Sequence, residues 1–448
     1  MAMHPGGPSI IMKYAGKDAS KLFNRLHPSN VIETFLDEAH VVGEIDMPPD
    51  SAISEEEIIA EKLRIENLKR LPKVNQIYNI NDFEAVARAV LPPHAWAYYN
   101  GGSDDEVTMR ENHYAFHKFF FLPKILVDVR NVDISTTMLG TKTSAPFYCS
   151  AAALAQLGHP DGELSISRGC GTEDVIQMIS STASYSFDEI LDETKPGQSH
   201  WFQLYVKPDR KHSIEMLKKC AERNVKGIFV TVDTPMLGKR EKDFKFRYGE
   251  DGPNDDDDPI TSYDDPGLTW ADIDAFKKVS DIPIAIKGVQ RSEDVLLAVE
   301  HGVDAVVLSN HGGRQLDFSR APVDVLAEVM PILRAKNLDK KIEIYIDGGI
   351  RRGTDVIKAL CLGAKGVGLG RAFLYANSCY GEEGVKKAVQ LLKHEIALNM
   401  KFMGVTKIED LNSSMIEKRD SYGFHRDSIY DANYETMRPI GLKDIPTN

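Results

Sequence analysis

Short apolar runs alternate with amphipathic stretches through most of this 448-residue chain. Eight runs are rich in Val, Ile or Phe, and each is followed by a helical pattern: PFYCSAAAL from residue 146, QMIS from 177, WFQLYV from 201, GIFVTVD from 227, PIAIKGV from 283, AVVLSNHG from 305, EIYIDGG from 343 and GVGLGR from 366. Such runs are typical of buried strands in a parallel sheet. Eight strand and helix units predict an α/β fold of the (β/α)8 TIM barrel type. A doubly wound sheet is disfavoured because no GxGxxG motif opens a helix in the first unit.

Both ends of the chain depart from this alternation. Residues 1–43 form a short separate segment, and residues 44–74 are charge-rich and predict a helical linker, in which Ser54 and Glu57 have capping-box spacing. The barrel is predicted over residues 75–415. Residues 416–448 have little periodicity and predict a C-terminal tail.

Composition narrows the classes of function. A formal charge of −13 disfavours nucleic acid as a partner, because phosphate backbones are bound by basic surfaces. Five cysteines without a CxxC pair indicate a reduced compartment and no cysteine metal site. No apolar run is long enough to span a membrane and no targeting segment is visible, so a cytoplasmic protein without a membrane partner is expected.

A polar or charged side chain lies at or just after the C-terminal end of each predicted strand. In barrels of this class the reactive groups lie at the C-terminal ends of the strands, so these positions are the candidates for a ligand site. In chain order they are Ser150, Ser180, Gln203 with Tyr205, Thr231 with Asp233, Lys287, Ser309 with His311 and Arg314, Asp347, and Gly370 with Arg371. Polar residues at the strand ends of one face indicate a binding site rather than a packing surface.

Two glycine-rich segments after the last two strands indicate a phosphate. DGGIRRG at residues 347–353 and GLGR at 368–371 offer backbone N–H groups together with the guanidinium groups of Arg351 and Arg371. The loops after the seventh and eighth strands are where such barrels hold phosphate. A cofactor or substrate phosphate is therefore predicted there.

The remaining side chains leave two reaction classes open. Lys287 is a candidate Schiff-base lysine or a fixed charge beside a developing anion. His311 is a candidate general base whose charged form Asp233 would support. Arg314 and Arg240 are candidates for binding a small carboxylate. These groups fit the oxidation of a hydroxy acid, and they also fit an aldolase.

Four segments resemble the FMN-dependent 2-hydroxy acid dehydrogenase and oxidase family: SNHGGRQLD, VDTPMLGKRE, IAIKGV and IDGGIRRGTDVIKALCLGAKGVGLGR. The resemblance covers residues 75–415 and implies an FMN-binding enzyme on a TIM barrel. ALCLGAKGVGLGRAFLYANSCYG and the N-terminal HPGG are most similar to the flavocytochrome branch, which joins a cytochrome b-five-like haem domain to the flavin barrel.

The resemblance implies a role for each candidate residue. His311 would remove a substrate proton, and Asp233 would stabilise its charged form. The substrate would be held by Arg314 and Tyr98 at its carboxylate, by Tyr205 at its hydroxyl and by Arg240. The flavin would be held by Ser150, Ala153, Ser180, Gln203, Thr231 and Lys287, and its ribityl chain and phosphate by Ser309, Asp347, Gly349, Arg351, Gly370 and Arg371.

The resemblance also implies a reaction and partners. L-lactate is the expected substrate, with cytochrome c or a haem as electron acceptor; a glycolate or lactate oxidase that uses oxygen is the alternative. A homotetramer in the mitochondrial intermembrane space is expected on the same ground. Thr182 occupies a position that lines the substrate pocket and is often Leu or Trp in relatives, so a somewhat larger 2-hydroxy acid is also compatible.

His4 and His27 resemble the two axial ligands of a cytochrome b-five fold, so haem b is a predicted cofactor. Only part of such a domain is expected within residues 1–43, and a remnant that binds no haem is the alternative. A haem protein in which the barrel is only a scaffold is disfavoured, because the catalytic positions carry the expected residue types.

Overall fold

A closed barrel of eight parallel strands forms the centre of the molecule. The computed structural model describes residues 55–248 and 265–419, with residues 19, 20, 23, 32 and 43 as isolated positions before them. The strands within these residues are β1 (Phe119–Phe121), β2 (Thr136–Met138), β3 (Thr141–Thr143), β4 (Phe147–Cys149), β5 (Gln177–Ser180), β6 (His200–Leu204), β7 (Ile228–Thr231), β8 (Ile284–Val289), β9 (Ala305–Leu308), β10 (Glu343–Asp347), β11 (Gly366–Leu369) and β12 (Ile416–Lys418). Strands β4 to β11 pair in chain order, and β11 pairs back with β4. All eight predicted runs are barrel strands, and the predicted (β/α)8 fold is confirmed.

Helices follow each barrel strand and cover the barrel from outside. Within the described residues the α-helices are α1 (Glu55–Lys69), α2 (Ile80–Val90), α3 (Pro93–Asn100), α4 (Val107–Tyr114), α5 (Gly162–Thr172), α6 (Phe187–Asp192), α7 (Arg210–Glu222), α8 (Glu241–Tyr248), α9 (Trp270–Lys277), α10 (Ser292–Glu300), α11 (Pro322–Ala335), α12 (Gly353–Leu362) and α13 (Arg371–Met403). The last of these is interrupted at Gly381, where φ is +55°. Because helices cover the outside and side chains fill the inside, strands such as β8 are buried at every position.

The N-terminal end of the barrel is closed by a cluster of large apolar side chains, here called the floor cluster. It contains Tyr148, Trp201, Phe229 and Tyr345, with Met138 from the β2–β3 hairpin below them. The ring centroids of Trp201 and Phe229 are 4.7 Å apart, and those of Tyr148 and Trp201 are 4.9 Å apart. Each of these rings is at most 1% exposed, so the barrel interior is a packed core here.

The barrel unit extends at both ends into elements outside the strand and helix alternation. Helix α1 lies within residues 44–74 and is tied to α2, because Asn67 Nδ2 donates to the carbonyl of Ala89 at 3.0 Å. Strand β12 pairs antiparallel with β1, so the first residues of the predicted tail belong to the folded unit. The predicted haem ligands His4 and His27 lie outside the described residues, as do residues 249–264 and 420–448. Among the helices that are described, none is long and apolar enough to cross a membrane.

Candidate active site

The loop after β9 carries His311 in a conformation that explains the glycines beside it. His311, Gly312 and Gly313 have consecutive positive φ angles of 57°, 65° and 77°. A left-handed backbone is strained for His and accessible to Gly. A Cβ atom at Gly313 would lie 2.5 Å from the backbone nitrogen of Met109, so α4 packs directly on the loop. The loop therefore turns sharply, and the protein around it holds the turn in place.

His311 forms a partly buried pair with Asp233, which follows β7. Nδ1 of His311 lies 2.9 Å from Oδ1 of Asp233. Burial lowers the pKa of His311, and Asp233 opposes that effect. Burial acts to raise the pKa of Asp233, but His311 and Lys287 outweigh it and the pKa is lowered. The pair at neutral pH is therefore a neutral imidazole that donates from Nδ1 to a carboxylate, which leaves Nε2 as a base.

Three side chains form what we call the carboxylate clamp: Tyr98, the buried Arg240 and the partly buried Arg314. Nη1 of Arg314 donates to the carbonyls of Tyr98 at 2.7 Å and Gly101 at 2.9 Å, and its guanidinium lies 5.0 Å from the Tyr98 ring centroid. Burial, and then the charge of Arg314, lowers the pKa of Arg240 to about 10. Within the described residues Nε of Arg240 has no acceptor. Like charges buried together favour an anion between them, which matches the predicted substrate carboxylate.

Lys287 is held as a cation between two carboxylates. Its Nζ lies 3.1 Å from Oδ2 of Asp347 and 3.3 Å from Oγ of Ser309. Burial acts to lower its pKa, but Asp347 and Asp233 outweigh that effect and the pKa is raised. A Schiff-base lysine must reach its neutral form, so this environment opposes the aldolase alternative and favours a fixed positive charge.

A row of side-chain hydrogen bonds crosses the ends of β5, β6 and β7. Oγ of Ser180 donates to Oε1 of Gln203 at 3.3 Å, and Nε2 of Gln203 donates to Oγ1 of Thr231 at 2.9 Å. On the neighbouring β4, Ser150 is buried and its hydroxyl has no partner within the described residues. This edge therefore offers hydrogen-bond donors and acceptors to a polar ring.

The phosphate corner, here defined as Gly349, Arg351, Gly370 and Arg371, lies after β10 and β11. Gly370 is the N-cap of α13, and a Cβ atom there would meet nothing within 4 Å. Gly349 has a φ of 79° and lies so close to α4 that a Cβ atom would be 2.1 Å from the carbonyl oxygen of Asn112. Arg351 pairs with Glu84. The open space at Gly370 faces the first turn of a long helix, which is a suitable place for a phosphate.

The side chains present fit FMN. The open space at the start of α13 would take its phosphate, and the hydroxyl of Ser150 is a buried polar atom that lacks a partner among the described residues. Lys287 is a buried cation at the same face and would stand beside a ring that gains negative charge.

Other predicted residues stand as follows. Ala153 is half-buried in the loop after β4. Thr182 is exposed after β5, with Oγ1 3.1 Å from Oγ of Ser180. The hydroxyl of Tyr205 lies 3.3 Å from Nε2 of His311, which places it next to the proposed base.

Sequence reasoning missed two sets of supporting residues. The amide side chains of Asn112 and Asn310 donate to each other at 2.7 and 2.6 Å and join α4 to the His311 loop. Oε1 of Glu163 accepts from the backbone nitrogens of Ala155 at 3.0 Å and Ser184 at 2.9 Å, and so joins the loops after β4 and β5. Asn310 lies inside the motif SNHGG and could have been found there, whereas Asn112 and Glu163 lie in helices without any local signal.

The fold and the site together define a flavin-dependent oxidoreductase on a TIM barrel. Residues 87–418 match the family described as FMN-dependent dehydrogenase, and the chain belongs to that family. Residues 1–46 match the cytochrome b5-like heme/steroid binding domain. The predictions of an FMN-dependent dehydrogenase and of FMN and haem as cofactors are thereby confirmed.

Individual relatives sharpen this assignment. The chain is 54% identical over 453 residues to the L-lactate dehydrogenase (cytochrome) of Wickerhamomyces anomalus, covering 97% of this chain and 78% of the relative. It is 38% identical to glycolate oxidase 3 of Arabidopsis thaliana, covering 76% of this chain and 96% of that relative. A solved structure of a double mutant of flavocytochrome b2 with pyruvate bound aligns with a TM-score of 0.78 at 49% identity, covering 89% of this chain and 100% of that one.

Proposed function

We propose that this protein oxidises L-lactate to pyruvate at the C-terminal face of its barrel and passes the electrons from FMN through a haem to cytochrome c. The observation that carries the proposal is the hydrogen-bonded His311–Asp233 pair beside the guanidinium groups of Arg240 and Arg314. A base next to a carboxylate clamp fits a small 2-hydroxy acid, which has an ionised carboxylate one carbon from the hydroxyl. The relative from Wickerhamomyces anomalus, which covers almost the whole chain, is named as an L-lactate dehydrogenase (cytochrome).

Each side chain would contribute a separate part of the reaction. Arg314, Arg240 and Tyr98 would bind the carboxylate and orient the hydroxyl-bearing carbon. Conversion of L-lactate to pyruvate releases two electrons and two protons. Nε2 of His311 would accept one of these protons, and Asp233 would stabilise the imidazolium that forms.

FMN, when bound, supplies the acceptor for the two electrons and the second proton of this oxidation. Its ring would be held by Ser150, Ala153, Ser180, Gln203, Thr231 and Lys287, and its ribityl phosphate by Ser309, Asp347, Gly349, Arg351, Gly370 and Arg371. The fixed charge of Lys287 would favour the anionic reduced state of the ring. The same charge disfavours the aldolase, because a protonated amine is no nucleophile.

A spectroscopic experiment tests the function. The purified full chain should show the visible bands of oxidised flavin, and L-lactate added without oxygen should bleach them. A protein without flavin absorbance, or one whose flavin is unchanged by L-lactate, would contradict the proposal. Turnover with cytochrome c and with oxygen as alternative acceptors then separates the dehydrogenase from the oxidase, for which the glycolate oxidase relative is the precedent.

The proposal extends to the haem ligands, the oligomeric state and the location in the cell. His4 and His27 are proposed as the axial ligands of the haem, so His27→Ala should remove the haem bands and cytochrome c reduction while flavin bleaching by L-lactate continues. We further propose a homotetramer in the mitochondrial intermembrane space. Sedimentation of the holoenzyme and fractionation of cells are the respective measurements.

A further inference from the structure

Arg371 is the first residue of α13, yet its side chain leaves the phosphate corner. Its guanidinium donates to three backbone carbonyls: Nε to Tyr99, Nη1 to Gly312 and Nη2 to Gly101, each at 2.9 Å. Two of these carbonyls lie at the end of α3, and the third lies in the loop that carries His311. One side chain therefore joins three parts of the active site.

The end of α3 is a natural partner for a buried cation. The last carbonyls of a helix have no partner inside the helix, and they carry the negative end of its dipole. Arg314 caps the same end, because its Nη1 donates to the carbonyls of Tyr98 and Gly101. The carbonyl of Gly101 thus accepts from both Arg314 and Arg371. The position of Tyr98, which belongs to the carboxylate clamp, depends on this shared cap.

We propose that Arg371 is a positioning residue that ties the phosphate corner to the carboxylate clamp and the His311 loop. Its backbone begins α13 beside the open space at Gly370, while its guanidinium fixes residues 98–101 and Gly312. The proposal rests on the proposed function for the identity of the ligands. The sequence predicted that Arg371 holds the cofactor phosphate. In this proposal the guanidinium positions the substrate-binding residues, and only the backbone of Arg371 contacts the cofactor.

Arg371→Met removes the donors and keeps most of the apolar stem. We expect the full-length variant to retain FMN, while kcat/KM for L-lactate falls about 100-fold. KM should rise because Tyr98 and Arg314 are displaced. The value of kcat should fall because the His311 loop becomes less rigid. Arg371→Lys should recover part of this loss, since an ammonium can still cap some of the carbonyls.

The matched control is Lys277→Met. Nζ of Lys277 donates to the carbonyl of His301 at 3.0 Å and to that of Gly302, both just after the end of α10. It therefore also caps a helix C-terminus, but this cap lies between α10 and the start of β9. We expect Lys277→Met to lower the melting temperature and to leave KM and kcat unchanged. A general loss of helix capping is thereby separated from loss of positioning.

Hydrogen exchange supplies a readout that does not depend on lactate. In the holoenzyme, peptides that cover residues 97–104 and 309–315 should exchange faster in Arg371→Met than in the wild type or Lys277→Met. The proposal is overturned if the variant loses FMN but has wild-type KM and kcat once saturated with FMN, because the guanidinium would then be a phosphate ligand. It is also overturned if neither peptide changes. If the wild type fails to oxidise L-lactate, the function is wrong, and the exchange result still decides the role of Arg371.

Discussion

Two adjacent layers inside the barrel have opposite chemistry although the same strands build both. Successive inward-facing residues are two positions apart on a strand. On β4, β6, β7 and β10, one such step leads from the aromatic floor cluster to a polar site residue: Tyr148 to Ser150, Trp201 to Gln203, Phe229 to Thr231 and Tyr345 to Asp347. The step on β8 leads from Ala285 to Lys287. On each of these strands, an apolar core residue and an active-site residue are therefore only two positions apart.

This difference shows how the fold carries buried charge. The floor cluster gains stability from packing and burial of apolar surface. The polar side chains at the C-terminal ends of the strands and in the loops that follow them are here called the upper layer. This layer buries the charged side chains of Asp233, Lys287 and Arg240, and burying a charge costs stability unless it is paired and hydrogen-bonded. We therefore expect substitutions in the upper layer to affect mainly catalysis, and substitutions in the floor cluster to affect mainly stability.

The largest expected effect is on turnover in the upper layer. His311→Gln should retain bound FMN and the wild-type melting temperature, while turnover of L-lactate falls by roughly 10²- to 10⁴-fold because the general base is lost. Steady-state kinetics and the flavin absorbance of the purified variant measure both properties. His212→Gln, at an exposed position on α7, is the control and should behave as the wild type. Surviving turnover in His311→Gln would show that another group accepts the proton.

The next effect is on stability in the floor cluster. Trp201→Ala should lower the free energy of unfolding by about 3–5 kcal/mol, because a fully buried ring is replaced by a cavity. Denaturant unfolding of the holoenzyme measures the change, and the folded fraction should keep its KM for L-lactate. Trp201→Phe should cost less, since Nε1 of Trp201 has no acceptor within the described residues. If Trp201→Ala instead abolishes catalysis without loss of stability, the two layers are not separable.

A smaller effect concerns pH. His311 acts as a base only when neutral, and its pKa lies below the usual 6.5 because of burial. The plot of kcat/KM against pH should therefore fall on the acid side with a midpoint below 6.5 and be flat through neutral pH. Asp233 raises the pKa of His311, so Asp233→Asn should move this midpoint to lower pH.

The same variant should lower kcat by about 100-fold, the lower end of the range for general acid–base catalysis, because the imidazolium loses its counter-charge. An acid limb that moves to higher pH in Asp233→Asn would contradict the assigned pairing.

The sequence predicts the barrel strands and the residues at their ends, but not the contacts between distant parts of the chain. All eight barrel strands were predictable because strands covered by helices read as short apolar runs, and His311, Asp233 and Lys287 were found because they end such runs. The direction of the Arg371 side chain was not predictable, since it depends on carbonyls about 270 positions earlier in the chain. The pairing of β1 with β12 was also missed, because both short strands lie outside the strand and helix alternation that identified the barrel strands.

The smallest expected effect concerns the choice of substrate above the upper layer. Thr182 is predicted to line the pocket for the substrate side chain, and its hydroxyl lies near Ser180 in an exposed loop. Thr182→Leu adds apolar volume, so kcat/KM for 2-hydroxyhexanoate relative to L-lactate should fall by about tenfold, the scale of one or two methylene groups in a pocket. Thr182→Ser, which keeps the hydroxyl and reduces the volume, should shift the ratio the other way. If neither variant changes the ratio, Thr182 lies outside the pocket, and the loop after β5 supports the flavin side through Ser180 alone.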